Sequence, residues 1–304
     1  MSEKVYDIAI VGGGAAGLTA AIYARRAEKS VIVFEKLVAG GQIVNTPKIS
    51  NYPATPGISG AEWAKALEKQ ALDLGTEIEY EEIISIEKND SIFHLRTEDD
   101  EFKAKAVIFS AGLTDRKMDI PNEEEFVGRG ISYCATCDGA FYKDKIVAVI
   151  GGGNSALGSA LYLSEIAKKV YLVHRRFEYR ATEILQEKIA ERENIEPVLG
   201  YVPSEIIAEG KKVVGLKLVN NVSESRELNL DGVFVAIGKV PHNDLIAELV
   251  DFDENGYAIT DENCATKTPG LFVAGDCRAK TLRQLVTATA DGAVAASSAI
   301  NYLQ

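Results

Sequence analysis

The sequence predicts an α/β fold of two Rossmann-like, three-layer domains, one inserted into the other. Two glycine-rich turns support this prediction, GGGAAG at Gly12 and GGGNSA at Gly151. Each turn follows an apolar run and precedes a helical stretch. The next apolar run ends at Glu35 in the first case and at His174 in the second. Glu35 lies 23 positions after Gly12, and His174 lies 23 positions after Gly151. This equal spacing indicates an internal repeat of one βαβ unit.

The first βαβ unit begins with the stretch Val5–Val11 (VYDIAIV), which reads as a short buried strand. A helical stretch through Ala27 follows the glycine turn, and the strand Ser30–Phe34 ends at Glu35. The turn lets the backbone approach a pyrophosphate, and the helix offers it a positive end. A carboxylate at Glu35 can bind an adenosine ribose and repels a 2′-phosphate, so this unit suits FAD or NAD.

The second unit repeats this order with a different residue at the ribose position. Its elements are the strand Lys145–Ile150, the helix Leu157–Ala167 and the strand Val170–Val173. The acidic residue is replaced by His174-Arg175-Arg176, with Arg180 four residues further on. A guanidinium cluster supplies the charge and the forked donors that a 2′-phosphate needs, which predicts NADPH. The alternative is a solvated helix start.

Further strands complete each unit. The runs Ala106–Gly112 and Gly232–Gly238 resemble each other, and each is an apolar strand that finishes in glycine. Alternation predicts antiparallel strands at Glu77–Ile84, Ile92–Arg96 and Val213–Leu218. The C-terminal segment has a strand at Leu271–Ala274, a turn at Gly275-Asp276 and a long helix, but no glycine fingerprint. It therefore completes one domain and leaves the other as the insertion.

Composition excludes several classes of function. The chain has 304 residues, enough for two domains, and a net charge of −12, which argues against nucleic acid and anionic membrane surfaces. No apolar run approaches the roughly 20 residues that span a bilayer. The polar start Met1–Asp7 lacks the layout of a secretory signal. Four cysteines are too few for a disulfide framework, so we expect a reducing, cytoplasmic location.

A cysteine pair lies between the two glycine turns, in Cys134-Ala135-Thr136-Cys137-Asp138. This spacing lets a disulfide close and reopen within one turn, and Asp138 can donate or accept the accompanying proton. Half of a zinc site and inert packing are the alternatives. Zinc needs about four ligands, and the other cysteines, Cys264 and Cys277, stand singly, so we predict no metal and two small buried residues there.

Taken together, these motifs resemble the low-molecular-weight, bacterial-type thioredoxin reductases of the class-II pyridine nucleotide-disulfide oxidoreductases, over essentially the whole chain. The CATCD block at Cys134 and the HRRxxxR cluster at His174 are the most specific matches. The other matches, besides the two glycine turns, are AGGQI at Ala39, GLFVAGD at Gly270 and RQLVTATADGAVAA at Arg283.

The resemblance implies a reductase that passes electrons from NADPH to FAD, to the Cys134–Cys137 disulfide and then to thioredoxin. It implies an FAD-binding domain of residues 1–115 and 245–304 and an NADPH-binding domain of residues 116–244 that carries the cysteine pair. It also implies a homodimer and a rotation of one domain against the other between half-reactions. The hinges are expected near Leu113–Asp119 and Val240–Asp244.

The family's residue roles carry over by motif. The FAD residues would be Gly12, Gly14, Gly17, Glu35, Gly41, Gln42, Asn51, Asp276, Arg283, Gln284 and Leu285. The NADPH residues would be Gly151, Gly153, Asn154, Ser155, Ala156, His174, Arg175, Arg176 and Arg180. Cys134 and Cys137 would be the redox pair, with Asp138 as the acid–base residue. A helix starting at Arg283–Leu285 would direct its positive end at reduced, anionic flavin.

Two other functions are also compatible with the sequence. A flavoprotein disulfide reductase could take electrons from ferredoxin or serve another thioredoxin-like partner. Relatives that use ferredoxin lack the second nucleotide fingerprint and the arginine cluster, so Arg175, Arg176 and Arg180 argue against the ferredoxin reading. A different class is a non-catalytic protein, such as a flavin-containing redox sensor or a zinc-bound scaffold.

Overall fold

The structure is a computed structural model that describes residues 4–46, 48–55 and 57–304. Residues 1–3, which belong to the polar N-terminal stretch, lie outside this range. The chain forms two compact units: unit 1 runs up to Thr114 and resumes at Val240–Gln304, and unit 2 is Asp115–Lys239. The sequence-based division was at 115/116 and 244/245. Two Rossmann-type α/β units, one inserted in the other, confirm the predicted fold class.

Unit 1 is built around a seven-stranded sheet with the order β3-β2-β1-β6-β5-β4 and with β17 paired to β6. The strands are β1 (Val5–Val11), β2 (Val31–Phe34), β3 (Glu77–Glu79), β4 (Ser85–Asn89), β5 (Ile92–Arg96), β6 (Glu101–Phe109) and β17 (Leu271–Val273). The helices are α1 (Ala15–Arg26), α2 (Gly60–Asp73) and α7 (Leu285–Tyr302), with 3₁₀ turns at Gly41–Asn45 and Asp244–Ile246. The strands β2, β1, β6 and β17 are parallel, so their carboxyl ends share one edge.

Helices α1 and α7 pack closely because small residues meet between them. A Cβ built on Gly292 would lie 2.1 Å from the carbonyl oxygen of Ala16. Helix α2 begins with a capping box, in which Ser59 and Glu62 bond to each other's backbone N–H. The contact of Gly292 with Ala16 fixes the start of α1, which follows the first glycine turn.

One predicted strand is wrong in length and direction. The stretch Glu77–Ile84 forms only the three-residue strand β3, and β3 runs parallel to β2. The reason is that α2 crosses over before β3 and returns the chain in the same direction. The other two alternating stretches are confirmed as antiparallel: Ile92–Arg96 is β5, and Val213–Leu218 lies within β13 (Lys212–Asn220).

Unit 2 contains a five-stranded parallel sheet with the order β11-β10-β9-β15-β8. Its strands are β8 (Ile131–Ser132), β9 (Ile146–Ile150), β10 (Lys169–His174), β11 (Ile195–Leu199) and β15 (Gly232–Val235). The strands β12 (Tyr201–Glu209), β13 and β14 (Ser225–Asn229) form a separate antiparallel sheet. The helices are α3 (Glu123–Phe126), α4 (Ala135–Asp138), α5 (Asn154–Ser164) and α6 (Glu183–Ala190), with a 3₁₀ turn at Gly139–Tyr142.

The chain passes between the units within a two-stranded sheet, β7 (Leu113–Asp115) and β16 (Lys239–Pro241). Each unit has apolar clusters on both faces of its parallel sheet, as buried parallel strands require. Among the described residues, no helix has the length and hydrophobicity needed to cross a membrane.

Candidate redox and dinucleotide sites

The first glycine turn connects β1 to α1 at the carboxyl edge of the unit 1 sheet. Gly12 has φ +102°, and a Cβ there would lie 2.4 Å from the Ser110 carbonyl oxygen. At Gly17 a Cβ would lie 2.0 Å from the Gly12 carbonyl oxygen. Helix α1 starts with no side-chain cap and no acidic residue in its first turn, so its positive end is available to an anion.

Glu35 closes this turn from the end of β2. Its carboxylate accepts hydrogen bonds from the backbone N–H groups of Gly13 and Leu37, both at 2.9 Å. Each carboxylate oxygen keeps a further lone pair for a ribose hydroxyl. Gly41 lies against the same turn, because a Cβ on it would be 3.2 Å from Gly14 Cα. The structure therefore brings these predicted FAD residues together.

The remaining FAD candidates come from the C-terminal segment and from the loops around it. Gly275 lies beside the start of α1, where its built Cβ is 3.0 Å from Ala16 Cβ, and this places Asp276 next to the first glycine turn. The Asn51 amide donates to the side-chain oxygen of Gln284 at 2.8 Å. Gln284 caps α7, and Leu285 is the first residue of that helix.

Gln42 and Arg283 have their own anchors within unit 1. The Gln42 amide donates to the carbonyl of Leu113. The Arg283 guanidinium stacks on Tyr257 at 3.6 Å from the ring centroid and donates to the carbonyl of Asp276 at 3.2 Å. The stacking holds the Arg283 side chain in place just before the N-terminus of α7.

A partly buried charge network, which no motif in the sequence indicates, supports this segment. Asp291 in α7 accepts hydrogen bonds from Arg278 and Lys280, both at 2.9 Å, and from the Gly275 N–H at 3.0 Å. Lys280 Nζ also lies 3.4 Å from Asp276 Oδ1, at ion-pair distance but without forming a hydrogen bond. Burial raises the pKa of Asp276, and the Lys280 charge opposes that shift.

The second glycine turn, between β9 and α5 in unit 2, has the same construction. Gly151 has φ +144°, and a Cβ there would lie 2.3 Å from the Ala236 carbonyl oxygen and 2.8 Å from Ala156 Cβ. Helix α5 also starts with no side-chain cap and no acidic first turn. Asn154 accepts a hydrogen bond from the Thr182 N–H at 2.9 Å, whereas Ser155 is exposed.

Three exposed guanidinium groups follow β10, those of Arg175, Arg176 and Arg180. Within the described residues, none of them forms an ion pair with a carboxylate. The Arg180 N–H donates to the Gly152 carbonyl at 2.7 Å, which ties the arginine loop to the glycine turn. Unpaired guanidinium groups beside a phosphate-binding turn suit an additional phosphate.

His174 lies under this cluster. Its ring packs on Gly152, where a Cβ would come within 2.4 Å of it, and stacks on Tyr179 at 5.8 Å. Burial, with the nearby arginine charges, lowers the pKa of His174, so the ring is neutral at pH 7. Its Nε2 is buried without a hydrogen-bond partner among the described residues. The positive charge at this site therefore comes from the arginines.

Cys134 and Cys137 form a disulfide at the start of α4. Cys134 is half-buried and Cys137 is exposed. The Cys137 N–H donates to Cys134 Sγ at 3.2 Å. Asp138 follows directly, and its N–H donates to the Cys134 carbonyl at 3.1 Å. The pair is thus a closed redox-type disulfide rather than half of a zinc site.

Ser132, which was not among the residues predicted from the sequence, also belongs to this site. Its buried hydroxyl lies 2.6 Å from Asp138 Oδ2 and accepts a hydrogen bond from the Cys134 N–H at 3.1 Å. The available signal was a polar residue at the end of an otherwise apolar strand. Nothing in the pattern indicated that its partner would be six residues further on.

The two other cysteines are fully buried, as predicted. Burial raises the pKa of Cys264 to about 11 and that of Cys277 to about 12, so both remain thiols at neutral pH. No group of three or more potential metal-ligating side chains occurs among the residues that the structure describes.

The residues at both turns fit dinucleotides. A Cβ on Gly14 would meet nothing closer than 3.9 Å, and one on Gly153 nothing within 4 Å, so there is room for a pyrophosphate beside each helix start. Asp276 Oδ1 is buried with no hydrogen bond from the described residues, and a polyol hydroxyl could supply one. Only the second turn has the arginine cluster, so the two turns suit different dinucleotides.

Comparison with known proteins gives a consistent result. A family model for pyridine nucleotide-disulphide oxidoreductases matches residues 6–292. Thioredoxin reductase of Treponema pallidum is 44% identical over 99% of this chain and 98% of its own length, and that of Listeria monocytogenes is 41% identical over 99% and 95%. The solved Lactococcus lactis thioredoxin reductase has a TM-score of 0.88 and 40% identity, over 98% of this chain and 99% of that one.

This chain belongs to the thioredoxin reductases of the pyridine nucleotide-disulphide oxidoreductase family. The match extends over both units, so membership does not depend on the glycine turns alone. Each motif named from the sequence has its counterpart in the structure: two glycine turns that open helices, an unpaired arginine cluster, and a disulfide followed by Asp138.

Proposed function

We propose that this chain catalyses the NADPH-dependent reduction of thioredoxin, with FAD in unit 1 and NADPH in unit 2. Unit 1 would hold FAD through the first glycine turn, Glu35 and Asp276. Unit 2 would hold NADPH through the second turn and the arginines that follow β10. The observation that best supports this proposal is the Cys134–Cys137 disulfide, which lies in the same unit as the second glycine turn and its arginines.

Each group of residues at these sites would have its own role in the reaction. When bound, a flavin supplies two-electron transfer between a nicotinamide and a disulfide. The arginine cluster would select the 2′-phosphate, and the open helix starts would hold the pyrophosphates. The Cys137 N–H, now 3.2 Å from Cys134 Sγ, would stabilise a thiolate on Cys134 after reduction. Asp138 would carry a proton to and from the sulfurs.

The decisive test is NADPH oxidation by the purified protein, measured with and without thioredoxin. Under anaerobic conditions NADPH should bleach the flavin, and thioredoxin should restore its colour. Cys137→Ser should retain bleaching but lose thioredoxin reduction. Cys264→Ala is the matched control, because this buried cysteine lies apart from the redox pair, and it should behave as the parent protein. A colourless protein that contains zinc would overturn the proposal.

A second test addresses the electron donor. Arg175→Ala combined with Arg176→Ala should lower kcat/KM for NADPH by at least about 10- to 100-fold, because a single charge-assisted hydrogen bond contributes about 1.5–3 kcal/mol. The value for NADH should change little. Arg192→Ala, an exposed arginine paired with Glu165, is the matched control. Reduced ferredoxin serving as a better donor than NADPH would favour the alternative reductase.

We also propose a cytoplasmic homodimer. A dithiol cycle of this kind needs a compartment that keeps thiols reduced. Large apolar side chains are exposed along α7 and just before it: Leu282, Val286, Val294 and Tyr302. A second copy could cover them. Sedimentation velocity should give twice the chain mass of 32.8 kDa, and Val294→Asp should shift that species toward the single-chain mass.

A further inference from the structure

Ser132 is buried beside the redox disulfide, and its hydroxyl is fully engaged. It ends β8, which pairs with β15 in parallel, with Ser132 opposite Phe234. Only 4% of the residue is exposed. A buried hydroxyl needs hydrogen-bond partners, and this one has three polar atoms within reach. They are Asp138 Oδ2 at 2.6 Å, the Cys134 N–H at 3.1 Å and the Cys134 carbonyl oxygen at 3.2 Å.

These three atoms make the hydroxyl a switch between two arrangements. A hydroxyl has one hydrogen, so the two acceptors, Asp138 and the Cys134 carbonyl, compete for it. The carboxylate of Asp138 is nearer and charged, so it receives the hydrogen. When Asp138 is protonated, its own O–H can donate to Ser132 Oγ, and the serine hydrogen turns to the Cys134 carbonyl. In both protonation states of Asp138, the Ser132 hydroxyl therefore stays hydrogen-bonded to Asp138 and to the backbone of Cys134.

We propose that Ser132 is a positioning residue that holds Asp138 beside the cysteine pair in both of its protonation states. This inference rests on the proposed function, in which Asp138 moves protons at the redox sulfurs. Asp138 forms no ion pair with any described residue, so the serine hydrogen bond is its principal polar restraint. Among the described residues, Tyr142 in the 3₁₀ turn after α4 interacts electrostatically with Asp138 and also with Asp231, and Tyr162 on α5 packs against Gly139.

The reaction balances with Asp138 as the proton carrier. One thiolate of the reduced pair attacks the partner's disulfide, which forms a mixed disulfide and releases one partner thiolate. The other cysteine, after giving its proton to Asp138, attacks the mixed disulfide. That attack restores the Cys134–Cys137 bond and releases the second partner sulfur as a thiolate. The partner gains two electrons and two protons, of which Asp138 delivers one and water supplies the other.

Removal of the hydroxyl should change the pH dependence of the reaction. Without it the carboxylate form of Asp138 loses a charge-assisted donor, whereas the protonated form loses a weaker neutral bond. The acidic limb of the pH–rate profile should therefore move to higher pH in Ser132→Ala. The rate of thioredoxin reduction at neutral pH should fall by about tenfold.

A double-mutant cycle separates positioning from a general structural effect. Ser132→Ala should reduce the rate in the parent protein and change it less than about twofold in an Asp138→Asn background, because coupled residues are non-additive. Ser164→Ala is the matched control. Ser164 is another buried serine of unit 2, bonded to a backbone carbonyl of its own helix. A tenfold loss in both backgrounds, or an unmoved pH limb, would overturn the inference.

Two further measurements make the test independent of the flavin and of folding defects. The equilibrium of the Cys134–Cys137 disulfide with dithiothreitol, followed against pH, should show the same shift in Ser132→Ala. Ser132→Thr keeps the hydroxyl and Ser132→Val has the same shape without it, so only the valine variant should move the limb. Identical profiles for these two variants would also refute the role. Failure of the parent protein to reduce thioredoxin would instead refute the proposed function.

Discussion

Replacement of Asp291 with alanine tests the charge network of unit 1. The side chains of Asp291, Arg278 and Lys280 are only 12%, 14% and 11% exposed. Alanine would leave Arg278 without its carboxylate partner in a poorly solvated place, and Lys280 with only Asp276, 3.4 Å away. Loss of one partner of a buried ion pair typically costs about 3–5 kcal/mol. The better helix propensity of alanine returns roughly 0.5 kcal/mol within α7.

We therefore expect Asp291→Ala to lower the free energy of unfolding of unit 1 by about 2.5–4.5 kcal/mol. Trp63 reports this transition, since it is the only tryptophan in the chain and lies buried in α2 of unit 1. Urea unfolding followed by its fluorescence, at one fixed excess of FAD, provides the measurement.

Asp73→Ala is the matched control because Asp73 also pairs with a lysine in unit 1. Its partner is Lys69, one helical turn earlier in α2, and the two side chains are 62% and 72% exposed. An exposed pair of this kind contributes only about 0.3–0.5 kcal/mol. If Asp291→Ala destabilises unit 1 no more than Asp73→Ala does, solvent screens the network and the argument from burial is wrong.

Three further predictions concern pH, thiol reactivity and nucleotide binding. Burial alone would raise the pKa of Asp7, but hydrogen bonds from Lys105 and Ser30 outweigh it and lower the pKa to about 2. This stabilisation is complete above pH 3.8 and is lost as the pH falls through 2, so Asp7→Asn should flatten the acid unfolding curve followed by circular dichroism. Reduced native protein should react rapidly with a thiol reagent at two cysteines, and at all four only after denaturation, because Cys264 and Cys277 are buried. Gly153→Ala should leave the thermal midpoint unchanged but raise KM for NADPH about tenfold or more, since its Cβ meets no protein atom and enters the expected pyrophosphate position.

The βαβ units were predictable because their signals are local. Strand β1 has the predicted bounds, Val5–Val11, since an apolar run that only Asp7 interrupts ends at a glycine turn. Helix α5 starts at Asn154 rather than at Leu157, because its exposed first turn is polar and falls outside the apolar pattern. The strand expected at Glu77–Ile84 failed for a different reason. Alternation indicates a half-buried strand but contains no information on the direction of its partner.

Candidate residues that belong to a local motif could be predicted from the sequence. Residues that only tertiary packing brings to the site could not. No local spacing joins Lys280 to Asp291 or Asn51 to Gln284, since these contacts depend on how α7 packs within unit 1. Ser132 is close in sequence to its partner Asp138, but the bond exists only because β8 ends where α4 begins. The missed residues support or position the motif residues, and side chains of that kind carry no pattern of their own.

The arginines that follow β10 show that the net charge of a chain does not describe the charge at one of its sites. A net charge of −12 predicts that the chain as a whole repels anions, yet three guanidinium groups stand together without carboxylate partners among the described residues. Salt screens interactions beyond about 10 Å, so distant carboxylates weaken this field very little. His174 is neutral at this place, and it therefore adds no charge to the arginines. Under the proposed function, selection of a 2′-phosphate would depend on the spacing between Gly151 and the arginines, which a charge count over the whole chain cannot detect.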